Sequence, residues 1–85
     1  MYFVYVLKSQ TDKSLYCGYT KDIERRINEH NGGYVNYTKS RKPWDLVYYE
    51  AFRSMEDAIE REGKLKKFGK GYGQLKRRIV RSLNI

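Results

Sequence analysis

Tyr2-Phe3-Val4-Tyr5-Val6-Leu7 and, after a polar break, Leu15-Tyr16-Cys17-Gly18-Tyr19 are the stretches on which the fold turns. The first is an unbroken apolar and aromatic run, short and rich in β-branched residues, and it reads as a buried strand. Ser9 to Ser14 is polar, contains Asp12 and predicts a turn. The second run reads as a strand ending near Gly18, and the two strands pair as a hairpin. Tyr5 alternates with Phe3 and Leu7 on one face of the first strand, so pairing sets Tyr5 near Tyr16. Gly18 leaves room on the second strand for a close approach. Aromatic filling of a small core is the ordinary account of these tyrosines.

Thr20 reads as an N-cap with Asp22 in the first turn, where the helix dipole favours an anion. The helix it starts runs to about His30 and is ended by Asn31, Gly32 and Gly33. Tyr34 to Pro43 reads as a polar, basic loop. Trp44 to Phe52 gives a third strand, and Ser54 caps a second helix that runs to about Phe68. Gly69, Gly71 and Gly73 suggest a flexible joint before a basic third helix over about 72–83. The expected fold is α+β, a small three-stranded antiparallel sheet flanked by helices in β-β-α-β-α-α order. At 85 residues the chain is expected to be a single domain with a modest core.

Composition narrows the function. Eighteen Lys and Arg stand against ten Asp and Glu, a formal net charge of +8. That imbalance favours a polyanionic partner, and nucleic acid is preferred over a mere solubility role. The basic residues cluster at Lys39, Arg41 and Lys42, at Lys64, Lys66, Lys67 and Lys70, and at Lys76, Arg77, Arg78 and Arg81. Lys39, Arg41, Lys42, Lys66, Lys67, Arg77 and Arg78 are the expected backbone contacts. Nine tyrosines among them suit stacking on unpaired bases, although tyrosine is equally ordinary in strands. One cysteine cannot form an internal disulfide, and one cysteine with one histidine cannot supply a four-ligand zinc site. No apolar run approaches the ~20 residues needed to span a membrane, and no helix pairs a basic face with a strongly apolar one. The expected location is the cytoplasm, and Cys17 is read as a small core residue.

Two helices break their own patterns. Ile23 and Ile27 must face the sheet, yet Arg26 and His30 lie on or beside the same stripe. Their ordinary placement is at the rim, with the arginine stem reaching to water. In the second helix Met55, Ala58, Ile59 and Leu65 form the stripe, and Glu62 interrupts it. A Glu62–Lys66 pair explains an exposed glutamate but not one set in an apolar face, since a buried lone carboxylate costs several kcal/mol. Tyr5, Tyr16, Arg26, His30 and Glu62 are therefore expected to converge on one sheet surface. A phosphate ligand, a carboxylate metal ligand and proton-transfer groups together suit phosphodiester hydrolysis.

Phe3-Val4-Tyr5 and Tyr16-Cys17-Gly18, about ten residues of turn apart, resemble the paired tripeptides of the GIY-YIG nucleases. The tyrosines and the final glycine are kept, whereas the first glycine and the middle residues differ. Arg26 falls eight residues after Gly18 and His30 four beyond it, as in that family. Ala58 and Glu62 match its A-x-x-x-E helix. The resemblance runs from Tyr2 to about Phe68, and the short, stand-alone YhbQ-type members look most similar. Asn36-Tyr37-Thr38, with Arg41, Pro43 and Trp44, also resembles a loop of the structure-specific branch. Gln74 stands where some members have Asn, and Tyr19 stands where the repair branch often has Lys.

The resemblance implies a metal-dependent endonuclease acting on single-stranded or structured DNA, with DNA repair or recombination as its setting and DNA preferred over RNA. It implies one Mg²⁺ or Mn²⁺ at Glu62, a phosphate clamp at Arg26, and catalytic roles for Tyr5, Tyr16 and His30 around the attacking water. Either tyrosine could be the base at this point. The rival reading is a nucleic-acid-binding module without catalysis, which metal-dependent hydrolysis would exclude.

Overall fold

The computed structural model of the protein describes residues 1–67 and 69–85. Strands β1 (Tyr2–Ser9), β2 (Leu15–Thr20) and β3 (Trp44–Phe52) form one antiparallel sheet in the order β2-β1-β3. The first run is thus the central strand, which is why it carries no charged side chain before Lys8. Helix α1 (Ile23–Asn31) follows the hairpin, and α2 (Met55–Lys66), α3 (Lys70–Arg78) and the short α4 (Val80–Leu83) follow β3. The expected order holds, with the last helix delivered in two pieces.

The alternation of β1 sorts the core into two layers. Val4 and Val6 point to one face, where Cys17 meets Ala58 and Leu65 of α2 and Tyr72, Leu75 and Ile79 of the C-terminal helices. Tyr5 and Leu7 point to the other, against Trp44, Tyr16 and the Ile23 and Ile27 pair of α1. A bulge lies between Val6 and Leu7 in the pairing with β3: Val6 opposes Tyr48, but Leu7 opposes Leu46. The extra residue switches the parity of β3, because a one-residue shift turns side chains to the opposite face. It brings Trp44 onto the Tyr5 face, which it would otherwise leave.

Several local expectations are corrected. Asp22, not Thr20, is the N-cap of α1: its carboxylate accepts from Arg25 N at 3.1 Å, while Thr20 Oγ1 accepts from Asp22 N at 3.1 Å one step earlier. The loop after α1 contains a 3₁₀ turn over Lys39–Arg41. Ser54 caps α2 as expected, accepting from Asp57 N at 3.2 Å. The end of α2 expected at Phe68 lies outside the described residues, and the helix is assigned to Lys66. Gly71 and Gly73 are not a joint but the first turns of α3. Burial of Tyr72, Leu75 and Ile79 at helical spacing outweighs the poor helix propensity of glycine. The helix then breaks at Ile79, so the expected continuous helix over 72–83 is two.

The buried stripe of α2 also differs. Met55 and Ile59 are 43% and 47% exposed, whereas Ala58 and Leu65 are fully buried. Arg61 and Glu62 occupy the half-buried positions between them. Arg61 grips Glu50 of β3 with two nitrogens at 2.9–3.0 Å, and Tyr48 donates to the same carboxylate at 2.7 Å. This charge-assisted fork fixes the roll of α2 on the sheet and turns Glu62 to the opposite flank.

Candidate active site

His30 is wholly buried, against the ordinary expectation of a rim position. Its Nε2 lies 2.9 Å from the Tyr5 hydroxyl and its Nδ1 lies 2.8 Å from Thr38 Oγ1. The Thr38 hydroxyl also points at the Val35 carbonyl, 3.4 Å away. A threonine that donates to that carbonyl must accept from Nδ1–H, which leaves Nε2 as an acceptor for the Tyr5 proton. The imidazole is thereby fixed as a neutral tautomer in a chain Tyr5–His30–Thr38. Burial, helped by the nearby Arg26 charge, lowers the His30 pKa to about 4. Burial raises the Tyr5 pKa to about 12, while the Arg26 guanidinium within reach of the phenol pulls the other way. At neutral pH the shared proton therefore rests on Tyr5.

The scaffold of this chain is polar and closed. Thr38 is fully buried, and its carbonyl accepts from Trp44 Nε1 at 3.0 Å. Asn31 clamps the Trp44 backbone on both sides, accepting from its N–H at 2.6 Å and donating to its carbonyl at 3.1 Å. The end of α1, the basic loop and the start of β3 are thus tied together behind His30. The sequence reading assigned no place here to Thr38 or Asn31. The signal available was the Asn36-Tyr37-Thr38 segment, within a loop read as polar and basic.

Gly18 lies directly opposite Tyr5 in the β1–β2 register. A methyl group at Gly18 would fall on the Tyr5 ring and hydroxyl. The close approach anticipated for this glycine is therefore that of the phenol itself. Tyr16, two residues earlier on the same face, packs its ring 5.0 Å from His30 and 6.4 Å from Tyr5. It is half-buried, at the open side of the cluster. Arg26 stands at the rim with a side chain 35% exposed, and its Nη1 donates to Glu29 at 3.0 Å. Glu29, which was not singled out from sequence, holds the guanidinium while using one of its five donors.

Glu62 does not come from the Tyr5 face. Helix α2 packs on the opposite layer, so the expectation that all five residues share one sheet surface is corrected to four. Glu62 approaches around the β2 edge: its charge acts on both Tyr5 and Cys17. Lys66 links the two sides, with Nζ 3.4 Å from Glu62 and 5.6 Å from the centre of the Tyr16 ring. The Glu62–Lys66 pair weighed from sequence is therefore present, and it sits against the site. Burial raises the Cys17 thiol to about 11, consistent with a core role.

The basic residues divide. Arg41 stacks 5.8 Å over Tyr37 and pairs with Asp12 at 3.5 Å, and Lys66 lies at Tyr16. Lys39 and Lys42 are exposed on the same loop, and Lys67 is exposed at the end of α2. Arg77 and Arg78 are elsewhere, lining a cleft of about 720 Å³ with Arg61 and Gln74. That cleft lies on the β3 flank of α2, whereas Glu62 and Lys66 face β2. The charge itself is segregated: residues 1–62 carry ten basic and ten acidic side chains, and residues 63–85 carry eight basic and no acidic ones.

Among the described residues no group of three or more His, Cys, Asp or Glu forms a metal cluster. Glu62 is one carboxylate, 22% exposed, beside an open rim. A single carboxylate completed by waters and a phosphate oxygen is an ordinary magnesium arrangement, so the donor set fits a substrate-assisted site.

The depressed His30 pKa makes stability acid-sensitive. Its folded value of about 4 lies below the ordinary 6.5, so its contribution is complete above pH 6.5 and is lost as pH falls towards 4. In that window the unfolded chain binds a proton that the folded chain does not, a slope of up to about 1.4 kcal/mol per pH unit. Urea unfolding of the wild type and His30→Gln across this range is expected to show the extra slope in the wild type alone. Equal slopes would remove His30 as its source.

The family model for the GIY-YIG catalytic domain matches residues 1–72. A UPF0213 protein of Staphylococcus saprophyticus is 46% identical over 70 residues, covering 81% of this chain and 84% of that protein. A UPF0213 protein of Haloquadratum walsbyi is 43% identical over 68 residues, covering 79% of this chain and 75% of that protein. The solution structure of a UPF0213 protein from Bacillus halodurans superposes with a TM-score of 0.54 at 38% identity, covering 88% of this chain and 81% of that one. No described helix is long and apolar enough to cross a membrane. With the paired tyrosines, the arginine and the buried histidine gathered on one hairpin and helix, the chain belongs to the GIY-YIG catalytic domain family, among its UPF0213 members.

Proposed function

We propose that the protein is a divalent-metal-dependent endonuclease that hydrolyses phosphodiester bonds, with DNA as its substrate. The observation that supports this best is the cluster of Tyr5, Tyr16, Arg26 and His30, with the Glu62 carboxylate acting on it from the β2 edge. A family likeness alone does not imply activity, since one fold hosts many functions. The reading is supported here by the presence of residues chemically suited to the reaction, four of them around Tyr5.

In this reading Arg26, steadied by Glu29, binds the scissile phosphate through its remaining donors. Tyr16, at the open side, contacts the same phosphate. Tyr5, whose proton is held by His30, uses its oxygen lone pairs to orient the attacking water, which gives up its proton to solvent at the open side of the cluster as the bond to phosphorus forms and that to the 3′ oxygen breaks. His30 keeps the phenol from rotating, and Thr38 and Trp44 keep His30 in its tautomer. Glu62 would hold Mg²⁺ or Mn²⁺, which when bound supplies charge neutralisation at the phosphate and the departing 3′ oxygen. The basic C-terminal segment adds salt-dependent attraction for the backbone. DNA repair or recombination is the setting this activity suits.

The test is incubation of the protein with single-stranded, duplex and branched DNA and with RNA, in Mg²⁺, in Mn²⁺ and in chelator. Cleavage of a DNA substrate that stops in chelator is the expected result. Binding without hydrolysis of any substrate would replace this reading with that of a binding module.

A further inference from the structure

Tyr37 has no part in the chemistry above, yet it is the side chain most conspicuously placed beside it. The residue is 69% exposed. The ring lies 5.8 Å from that of Tyr16, and the Arg41 guanidinium lies 5.8 Å from its own centre. Leu15, Tyr16, Cys17, Tyr37 and Lys66 line a cavity of about 380 Å³ between the β2 edge and the loop. The position is fixed rather than loose. The next residue, Thr38, is fully buried, bonded to His30, and held by its backbone N–H to the Val35 carbonyl at 3.1 Å. The loop thus anchors Tyr37 through the same residue that orients the imidazole.

The cavity has aromatic walls, an apolar floor and one lining cation, Lys66, with Arg41 set against the Tyr37 ring beside it. A free phosphate would use the cations and leave the rings unused, and an apolar peptide side chain would do the reverse. A planar ring carried on a phosphate backbone uses both, and a base can enter only if it is not already stacked and paired. We propose that the Tyr16–Tyr37 cavity is a slot for one unpaired nucleobase of the strand being cut, adjoining the scissile phosphate. Lys66 and Arg41 hold the phosphates on either side of it. This rests on the nuclease reading for its neighbour but concerns binding, which is measured separately.

The experiment is fluorescence anisotropy of the full chain with short labelled probes in chelator. The probes are oligothymidylate, oligouridylate, an abasic oligodeoxynucleotide of equal length, and a DNA duplex. The wild type is expected to bind a base-bearing single strand more tightly than the abasic one. Tyr37→Ala is expected to lose between about fivefold and a hundredfold on the base-bearing strand, as for one lost base–aromatic stack, and nothing on the abasic strand or duplex. Tyr37→Phe and Tyr37→Trp retain affinity, and the melting temperature of Tyr37→Ala is unchanged. Whichever of the thymidylate and uridylate arms shows the loss names the nucleic acid.

An undiminished affinity in Tyr37→Ala would overturn the slot. So would an equal loss on the abasic strand, or a wild type indifferent to the bases. Base-dependent binding through Tyr37 without metal-dependent cleavage would sink the nuclease reading and leave the slot standing. Cleavage that ignores Tyr37 would do the opposite.

Discussion

Glu62→Gln is expected to fold and to bind oligonucleotides, and to cleave about 10²–10³-fold more slowly than the wild type, if not below detection. The expected loss is electrostatic. Glutamine preserves the shape of the side chain and removes its charge, which is what a divalent cation recognises. The fold has little to lose. The pair with Lys66 is an i,i+4 contact on a helix face, 46% and 22% exposed at its two side chains. Such pairs contribute about 0.3–0.5 kcal/mol. Meanwhile the helix is held in place by the Arg61–Glu50–Tyr48 network and by Ala58 and Leu65, which the substitution does not touch. Single-turnover rates in Mg²⁺ and Mn²⁺, with melting temperatures alongside, check both halves. Cleavage within a few-fold of wild type, with unaltered metal dependence, would take the metal away from Glu62.

The same helix shows where sequence reasoning succeeds and where it stops. A carboxylate in an apparently apolar stripe was enough to single out Glu62. The stripe itself was misread, because Met55 and Ile59 are as hydrophobic as Ala58 and Leu65 and only the tertiary packing chooses among them. The strands were legible nearly residue for residue. β3 begins at Trp44 and ends at Phe52, and the alternation that set Tyr5 with Leu7 holds. His30 was legible as an anomaly, but not as buried, since its burial depends on Thr38, which arrives from a loop without periodicity. The bulge that turns Trp44 to the site left no mark in the run WDLVYYEAF. Strand bulges are set by pairing, and pairing is not local.

Gly18→Ala tests a contact on which both stability and chemistry depend. In an ordinary strand interior, alanine is better than glycine by about 0.5–1 kcal/mol, through the entropy of the unfolded chain. The opposite sign is expected here. The added methyl would meet the ring and hydroxyl of Tyr5, a residue only 1% exposed, and one of the two must shift. Overpacking of this kind costs about 1–3 kcal/mol. Displacing the phenol would also break the 2.9 Å bond to His30 and leave a buried imidazole nitrogen without its donor. Loss of stability and loss of cleavage should therefore appear together. A double-mutant cycle isolates the cause. In a Tyr5→Ala background the obstacle is gone, so Gly18→Ala should become neutral or stabilising. The resulting coupling belongs in the range of about 0.5–3 kcal/mol expected for residues in direct contact. Urea unfolding of the four proteins measures it. A Gly18→Ala penalty that persists without the tyrosine would mean that the glycine serves the backbone of β2 and not the phenol. A Gly18→Ala variant more stable than the wild type would mean that Tyr5 can leave its pocket freely, and that the hydrogen bond to His30 does not fix it.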